Sequence, residues 1–183
     1  MGLFIEDGTG SGKTAKVNGG NRLLVNAVQK STDADVNETS GKVWSVVFEG
    51  LNPAGADDYV VYIKNTGDKT LHITDMRIMA DTAATQIELH AVSGTVVGGS
   101  TITPLSRTIG SAATPTATIE SGTDLTGLTS DGILFFIQCS TVGKEEHLSS
   151  SSRIRIPKSK ALAVLIETAT ANVTGVISLA EEE

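Results

Sequence analysis

Short apolar runs in which every second residue is apolar recur along this chain from Lys42 onward, with turn-forming residues between them. Residues 43–48 place Trp44, Val46 and Phe48 on one face, and Asn-Pro-Ala-Gly follows at 52–55. Alternation with period two is typical of a β-strand, because successive side chains point to opposite faces of the sheet. Similar runs recur at residues 59–63, 71–78, 86–91, 133–139, 154–156, 162–166 and 173–179. About eight or nine strands at this spacing predict an all-β fold, a sandwich or a barrel.

Composition supports the same prediction. Thr, Val and Ile are frequent, and their branched side chains suit a pleated sheet, whereas a helical bundle is excluded. The length of 183 residues fits about one domain, large enough to bury a core without disulfides. The single cysteine, Cys139, lies in an apolar run and is interpreted as a small buried side chain.

Several local patterns make specific predictions. Residues 65–68 (Asn-Thr-Gly-Asp) predict a hairpin-type turn into the next strand. The apolar parity changes between Ile73 and Met76, which predicts a bulge near Asp75. In the run 86–91, Ile87 and Leu89 are expected to face the core.

Three segments leave more than one structural interpretation open. Residues 93–131 are rich in Gly, Thr and Ser, and only weak strands are expected there, at 100–103 and 116–119. Residues 159–171 have some helical character, but period two together with Thr168 and Thr170 favours a strand. Residues 80–91 carry a similar ambiguity, because Asp81 is placed to cap a helix, yet Thr82 and Thr85 weaken it.

The first 40 residues differ from the rest. They are polar and Gly-rich, with one short apolar stretch at 23–25, and residues 29–41 contain Val36 as their one large apolar side chain. Such a segment is a poor candidate for a packed core. The sequence therefore predicts an extended N-terminal arm and linker at 1–40, followed by a β-sandwich domain at 41–183.

One motif in this segment looks like a phosphate-binding loop. Residues 8–14 read Gly-Thr-Gly-Ser-Gly-Lys-Thr, but the Walker A spacing would require Gly where Asp7 stands. No long buried strand precedes the motif, and Asn18-Gly19-Gly20 breaks any helix after it. Nucleotide binding is therefore not predicted.

Other chemistry is equally unsupported by sequence. His72, His90 and His147 lack the spacing of metal ligands, so no metal, cofactor or catalytic residue is predicted, and the protein is not expected to be an enzyme. A pair of glycosidase carboxylates stays open, because distances across strands are invisible in sequence. Aromatic residues make up 4% of the chain, which argues against sugar-stacking platforms. The net charge of −7 argues against nucleic acid, and no apolar run is long enough to cross a membrane.

The N-terminal residues nevertheless form a recognisable pattern: Asp7-Gly8-Thr9-Gly10-Ser11-Gly12, then Ala15-Lys16-Val17, then Asn21-Arg22-Leu23. This pattern resembles the opening of many virion structural proteins of tailed bacteriophages. The segment from Ile154 to Lys158 and the two strands after it are similar to the last hairpin of those proteins. The middle of the chain resembles these virion proteins only in its general pattern of strands.

The resemblance implies an antiparallel, jelly-roll-like β-sandwich preceded by the arm. It implies a virion protein made in the host cytoplasm, which we expect to be a capsid decoration (cement) protein on the capsid surface. Expected partners are the major capsid protein or another virion protein, together with further copies of the chain, a homotrimer being favoured. A second reading is a receptor- or glycan-binding module of a head fibre or tail spike, and a polysaccharide hydrolase is a third. The expected interface residues of the arm are Lys16, Val17, Asn21, Arg22, Leu23 and Val25.

Overall fold

A computed structural model describes residues 16–17, 23–24, 41–148 and 154–181. Strands account for 62% of these residues and helices for none of them. The chain divides into two units, residues 1–31 and 32–183. In the first unit, β1 (Lys16–Val17) pairs antiparallel with β2 (Leu23–Leu24). The short apolar stretch predicted at 23–25 thus contributes a strand.

The second unit contains twelve strands in the described residues, and they are numbered in chain order. They are β3 (Val43–Leu51), β4 (Asp58–Asn65), β5 (Leu71–Ala80), β6 (Thr85–Val97), β7 (Ser100–Thr101), β8 (Leu105–Ser106), β9 (Ala117–Ser121), β10 (Thr126–Cys139), β11 (Glu146–Leu148), β12 (Ile154–Ile156), β13 (Ala161–Ile166) and β14 (Val173–Glu181).

These strands form two antiparallel sheets, which we name after their central strands. The β13 sheet has the order β10-β6-β13-β4-β9-β7. The β14 sheet has the order β11-β5-β14-β3-β8, and β12 also pairs with β5. Side chains from both sheets form one apolar core, so the predicted all-β sandwich is confirmed.

Strand pairing in the second unit is nested. Outside the short β7–β9 pair, four nested levels follow: β6 with β10, then β5 with β11 and β12, then β4 with β13, and finally β3 with β14. Successive levels belong to alternate sheets. The turn at 65–68 therefore connects strands of different sheets, and the prediction of a hairpin there is wrong. The residues of a turn determine that the chain reverses direction there, but they do not determine which strand the following strand pairs with.

The core explains the apolar alternation. Trp44, Ile87, Leu89 and Ile177 are almost fully buried between the sheets. The predicted bulge near Asp75 is confirmed, because Ser178 pairs with Asp75 and Leu179 with Ile73, which leaves Thr74 as the additional residue.

Residues 161–166 are confirmed as a strand, β13, and residues 80–91 form no helix. β13 lies between β4 and β6, so both of its edges are hydrogen-bonded. Ala163 and Leu165, which face away from the central core, are also buried. Burial on both faces removes the polar-apolar contrast of a surface strand, and it explains why the sequence also looked helical.

The prediction of mostly irregular structure at 93–131 is wrong at both ends. β6 continues to Val97 and β10 begins at Thr126, and the two strands pair along this length. The weak strands expected at 100–103 and 116–119 appear as β7 and β9, which extend the opposite edge of the β13 sheet. Gly-rich sequence here marks strand irregularities, with register shifts between residues 126 and 128 and between 130 and 132.

Candidate functional site

Three large apolar side chains of β10 are exposed at the border of the β13 sheet. Ile133 is 57% exposed, Leu134 49% and Phe136 59%. We call these three residues the apolar edge. Among the described residues, β6 is the single strand hydrogen-bonded to β10. One side of β10 thus presents backbone groups that no described strand covers.

The pairing register explains why these side chains point outward. Phe135 pairs with Leu89 and Ile137 with Ile87, and all four contribute to the core between the sheets. Phe136, in the alternate position, pairs with Glu88 and lies on the outer face. A register shift between Ile133 and Phe135 leaves Leu134 without a cross-strand partner. The alternation of side chains along β10 therefore exposes Phe136, and the register shift exposes Leu134.

The apolar edge also lacks the usual protection of an edge strand. Residues 132–139 read Gly-Ile-Leu-Phe-Phe-Ile-Gln-Cys, with no charged residue and no proline. Natural sheets protect exposed edges with lysines, prolines, bulges or a covering segment. Of these protective features, residues 132–139 contain an irregularity, the register shift at Leu134. From Phe135 to Cys139 the pairing with β6 is regular.

A cluster of polar side chains lies on the same outer face, next to the apolar edge. His90 Nε2 is 2.6 Å from Glu88 Oε2, and His90 Nδ1 is 2.8 Å from the hydroxyl of Ser130 and 3.1 Å from that of Tyr59. Gln86 Nε2 donates to Glu88 Oε1 at 2.8 Å. Glu88 and His90 are buried, whereas Ser130 is exposed. We call Tyr59, Gln86, Glu88, His90 and Ser130 the His90 cluster.

The protonation states in this cluster follow from its contacts. The hydrogen bond with His90 lowers the pKa of Glu88; burial opposes this effect, and the bond from Gln86 adds to it. Burial raises the pKa of the Tyr59 phenol, while its contact with Ser130 lowers it and the Glu88 charge raises it. Glu88 is therefore an acceptor at neutral pH. A His90 ring that donates from Nε2 to this carboxylate offers Nδ1 as an acceptor to the hydroxyls.

Ser130, His90 and Glu88 thus have the mutual contacts of a nucleophile, a base and an orienting acid. Two features distinguish them from a hydrolase centre. Two hydroxyls share His90 Nδ1. The Gly132 N–H donates to Ser130 Oγ itself, at 3.3 Å, and not to a point beside it where an oxyanion would develop. The arrangement links β4, β6 and β10 by hydrogen bonds and thereby fixes the strand that carries the apolar edge.

Two shallow cavities lie on the second unit. One, of about 290 Å³, is lined by residues that include Asp131, Leu134, Arg155, Pro157 and Lys160, so it opens beside the apolar edge. The other, of about 240 Å³, lies along β5 and β14. In the described part of the chain no three His, Cys, Asp or Glu side chains are grouped as metal ligands.

The two remaining histidines lie apart from the His90 cluster. His147 contacts Asp75, which also accepts from Arg77 Nε at 3.2 Å. His72 lies in β5 and is mostly buried. These contacts belong to the β14 sheet.

The expected interface residues of the arm are only partly described. In the β1–β2 pair, Val17 lies opposite Leu23 and Lys16 opposite Leu24. Asn21, Arg22 and Val25 lie outside the described residues. Sequence reasoning missed both the apolar edge and the His90 cluster. A signal for the edge was present, since residues 133, 134 and 136 are apolar on both parities and residues 132–139 contain no charged side chain.

No helix in the described residues is long and apolar enough to cross a membrane. No protein-family model, curated protein or solved structure matches this chain.

Proposed function

We propose that the protein is a structural virion protein of a tailed bacteriophage, a capsid decoration (cement) protein that binds the capsid surface and stabilises the particle. The proposal joins the resemblance of residues 7–23 and 154–179 to virion proteins with the architecture of the second unit. Its partners are the major capsid protein or another virion protein, and further copies of the chain, with a homotrimer as the starting expectation. The protein is made in the host cytoplasm and resides on the virion.

The nested strand pairing is the observation that carries the proposal. Eight strand positions, with β11 and β12 sharing one, pair in four nested levels that alternate between the sheets. This is the connectivity expected of a long hairpin rolled into two sheets, the jelly roll. Jelly rolls occur in viral capsid proteins and in lectins. We therefore propose that the second unit is a jelly roll and that the first 40 residues are its attachment arm.

Aromatic burial favours the structural role over glycan binding. Sugar rings commonly stack on exposed aromatic side chains. Here Trp44 and Tyr62 are each 2% exposed, so their faces are inaccessible to a ligand. Phe136 is the one aromatic side chain of the described residues that is largely exposed, and its neighbours along the strand, Phe135 and Ile137, are apolar. The glycan-binding alternative thus has little support from the described surface.

A reconstitution experiment tests the proposal. Particles lacking the protein are incubated with the purified full chain, pelleted, and heated while genome release is monitored. We expect saturable binding and a higher temperature of release. Without both effects, the decoration role is wrong.

Arm contacts are tested with charge-matched variants. Lys16→Ala/Arg22→Ala removes the two charges expected at the interface, and Lys69→Ala/Lys144→Ala removes two exposed lysines of the second unit. We expect the first variant to weaken particle binding at least tenfold and the second to bind as the wild type does. Equal binding by both variants contradicts an attachment role for the arm.

A glycan array separates the two classes of function. Reproducible binding of a glycan by the full chain, together with failure to bind particles, would support the receptor-binding alternative.

A further inference from the structure

We propose that the apolar edge of β10 is an interface between copies of this chain, and that its occupant is the β10 edge of a second copy. This inference rests on the homo-oligomer part of the proposed function and deepens it, because it identifies the contact residues. It replaces the expected homotrimer with a dimer or a larger oligomer of even copy number. The experiment that tests this inference needs no virion, so its outcome is independent of whether the protein binds capsids.

The outward N–H and C=O groups of β10 are complementary to another extended strand. Register shifts between Ser130 and Gly132 and between Ile133 and Phe135 interrupt the ladder at its centre. The regular stretch is residues 135–139. A partner strand therefore docks along this stretch, with Phe136 on the outer face.

The chain carries a net charge of −7, so two copies repel each other over most of their surfaces. Residues 132–139 contain no charged side chain, and neutral strands meet there without repulsion. A basic partner would instead be drawn to acidic side chains, which this stretch lacks. The edge is thus complementary to an edge as neutral and apolar as itself.

Residues 133–138 form a six-residue segment of high β-propensity with no charge and no proline, the composition of strands that self-associate into fibrils. Left open, such an edge leads to aggregation. The covering partner must be present as soon as the chain folds, and another copy of the same chain meets this condition.

Two β10 strands related by a two-fold axis pair antiparallel, each presenting the same stretch to the other. The two β13 sheets then become one continuous sheet, and the number of copies in the oligomer is even. The His90 cluster supports this arrangement, because it links β10 to β6 and β4 through Ser130 and holds the edge in place before docking.

The test is the mass of the full chain in solution between about 1 and 100 μM, by size-exclusion chromatography with light scattering. Phe136→Lys places a charge in the apolar edge, and Val47→Lys makes the same change at a strand residue that is 53% exposed on the other sheet. We expect a dimer, or a larger oligomer with an even number of copies, for the wild type and for Val47→Lys. Phe136→Lys should be monomeric or have a dissociation constant at least tenfold higher.

A second variant and a second readout keep the test decisive. Leu134→Ser leaves the regular stretch intact and should also weaken association, and circular dichroism checks that each variant is folded. Amide exchange of residues 135–139 should slow as the wild-type concentration rises. A wild type that is monomeric at 100 μM, or a trimer, overturns the proposal, and so does an oligomer that both edge variants leave unchanged.

Discussion

At the scale of single residues, two glycines determine how closely β6 and β10 approach. Gly94 has φ +104°, and a Cβ atom there would lie 2.2 Å from the carbonyl oxygen of Gly127. Gly127 has φ +74°, and its Cβ would lie 2.3 Å from the carbonyl oxygen of Thr95. The obstructing atoms belong to the backbone, so the strands would have to separate. Glycine is required at both positions for steric reasons.

We therefore expect Gly94→Ala to lower the free energy of unfolding by about 3 kcal/mol or more, since it combines backbone strain with a clash. Gly110→Ala is the matched control: φ is +83°, but no atom lies within 4 Å of the added Cβ. It should cost about 1 kcal/mol from strain alone. Urea unfolding measures both changes, and equal costs would show that the close approach is not decisive.

The Glu88 carboxylate gives a pH-dependent prediction. Its hydrogen bond with His90 lowers its pKa below the ordinary value of 4.5 in the folded state. The folded state thus releases this proton more readily than the unfolded chain, so the stabilisation is complete above about pH 4.5. It is lost as the pH falls through the lower, folded pKa.

Glu88→Gln should therefore destabilise the protein by about 2 kcal/mol at pH 7, because either orientation of the introduced amide places its NH2 group against a donor, Gln86 Nε2 or His90 Nε2. The difference from the wild type should shrink as the pH falls below 4.5. Glu49→Gln, at an exposed position of β3, is the control and should show little change. A difference between wild type and Glu88→Gln that is constant from about pH 7 to about pH 3 would contradict this assignment.

At the scale of elements, Asn65 connects the turn after β4 to the end of β12. Its side-chain Nδ2 donates to the carbonyl oxygens of Lys69 at 2.7 Å and Ile156 at 2.8 Å, and its Oδ1 accepts from the Gly67 N–H at 2.9 Å. The residue is 1% exposed. Both ends of the side-chain amide are thus used inside the protein to hold this crossing turn.

Asn65→Asp should destabilise the protein by about 3–5 kcal/mol, because a buried carboxylate oxygen would face two carbonyl oxygens. Asn52→Asp makes the same change at an exposed turn position and should be nearly neutral. Thermal unfolding of the two variants provides the comparison. If Asn65→Asp unfolds at the wild-type temperature, the side chain does not hold the turn.

Individual elements also show where sequence patterns are sufficient. The inward faces of β3 and β14 follow from period two alone, as Trp44 and Leu179 confirm by their burial. β13 was harder to distinguish from a helix, because both of its faces are covered. Residues 133–139 of β10 form a strongly apolar run, yet β10 lies at an edge of its sheet. A strand's own residues indicate that it is buried or apolar, not where it lies in the sheet.

At the scale of the whole molecule, the second unit contains the central core within residues 32–183. We expect a chain lacking residues 1–31 to fold cooperatively, with a melting temperature within about 3 °C of the full chain, since a unit with its own core folds alone. Thermal circular dichroism at matched concentration checks this. A non-cooperative transition, or a melting temperature more than about 10 °C lower, would contradict the division.

The polar cluster and the edge illustrate the limits of sequence reasoning at this scale. Glu88 and His90 are two residues apart on one strand, so their shared face was predictable. Their contact with Ser130 depends on the pairing of β6 with β10, strands that a long connection separates in the chain. The register shifts near Ser130 and Ile133 further determine which side chains face outward. Neither the contact with Ser130 nor these register shifts have a local signal in the sequence.

Sequence alone determined that this chain forms β-strands, which residues of most strands face inward, and that residues 1–40 differ in character from the rest. These properties depend on local periodicity and composition, which act within a strand or a turn. Tertiary structure decided which strands are neighbours, why the turn after Asn65 crosses between sheets, and why the apolar residues of β10 are exposed. Those outcomes depend on hydrogen bonds between strands far apart in the chain, such as β3 with β14, where Trp44 pairs with Leu179.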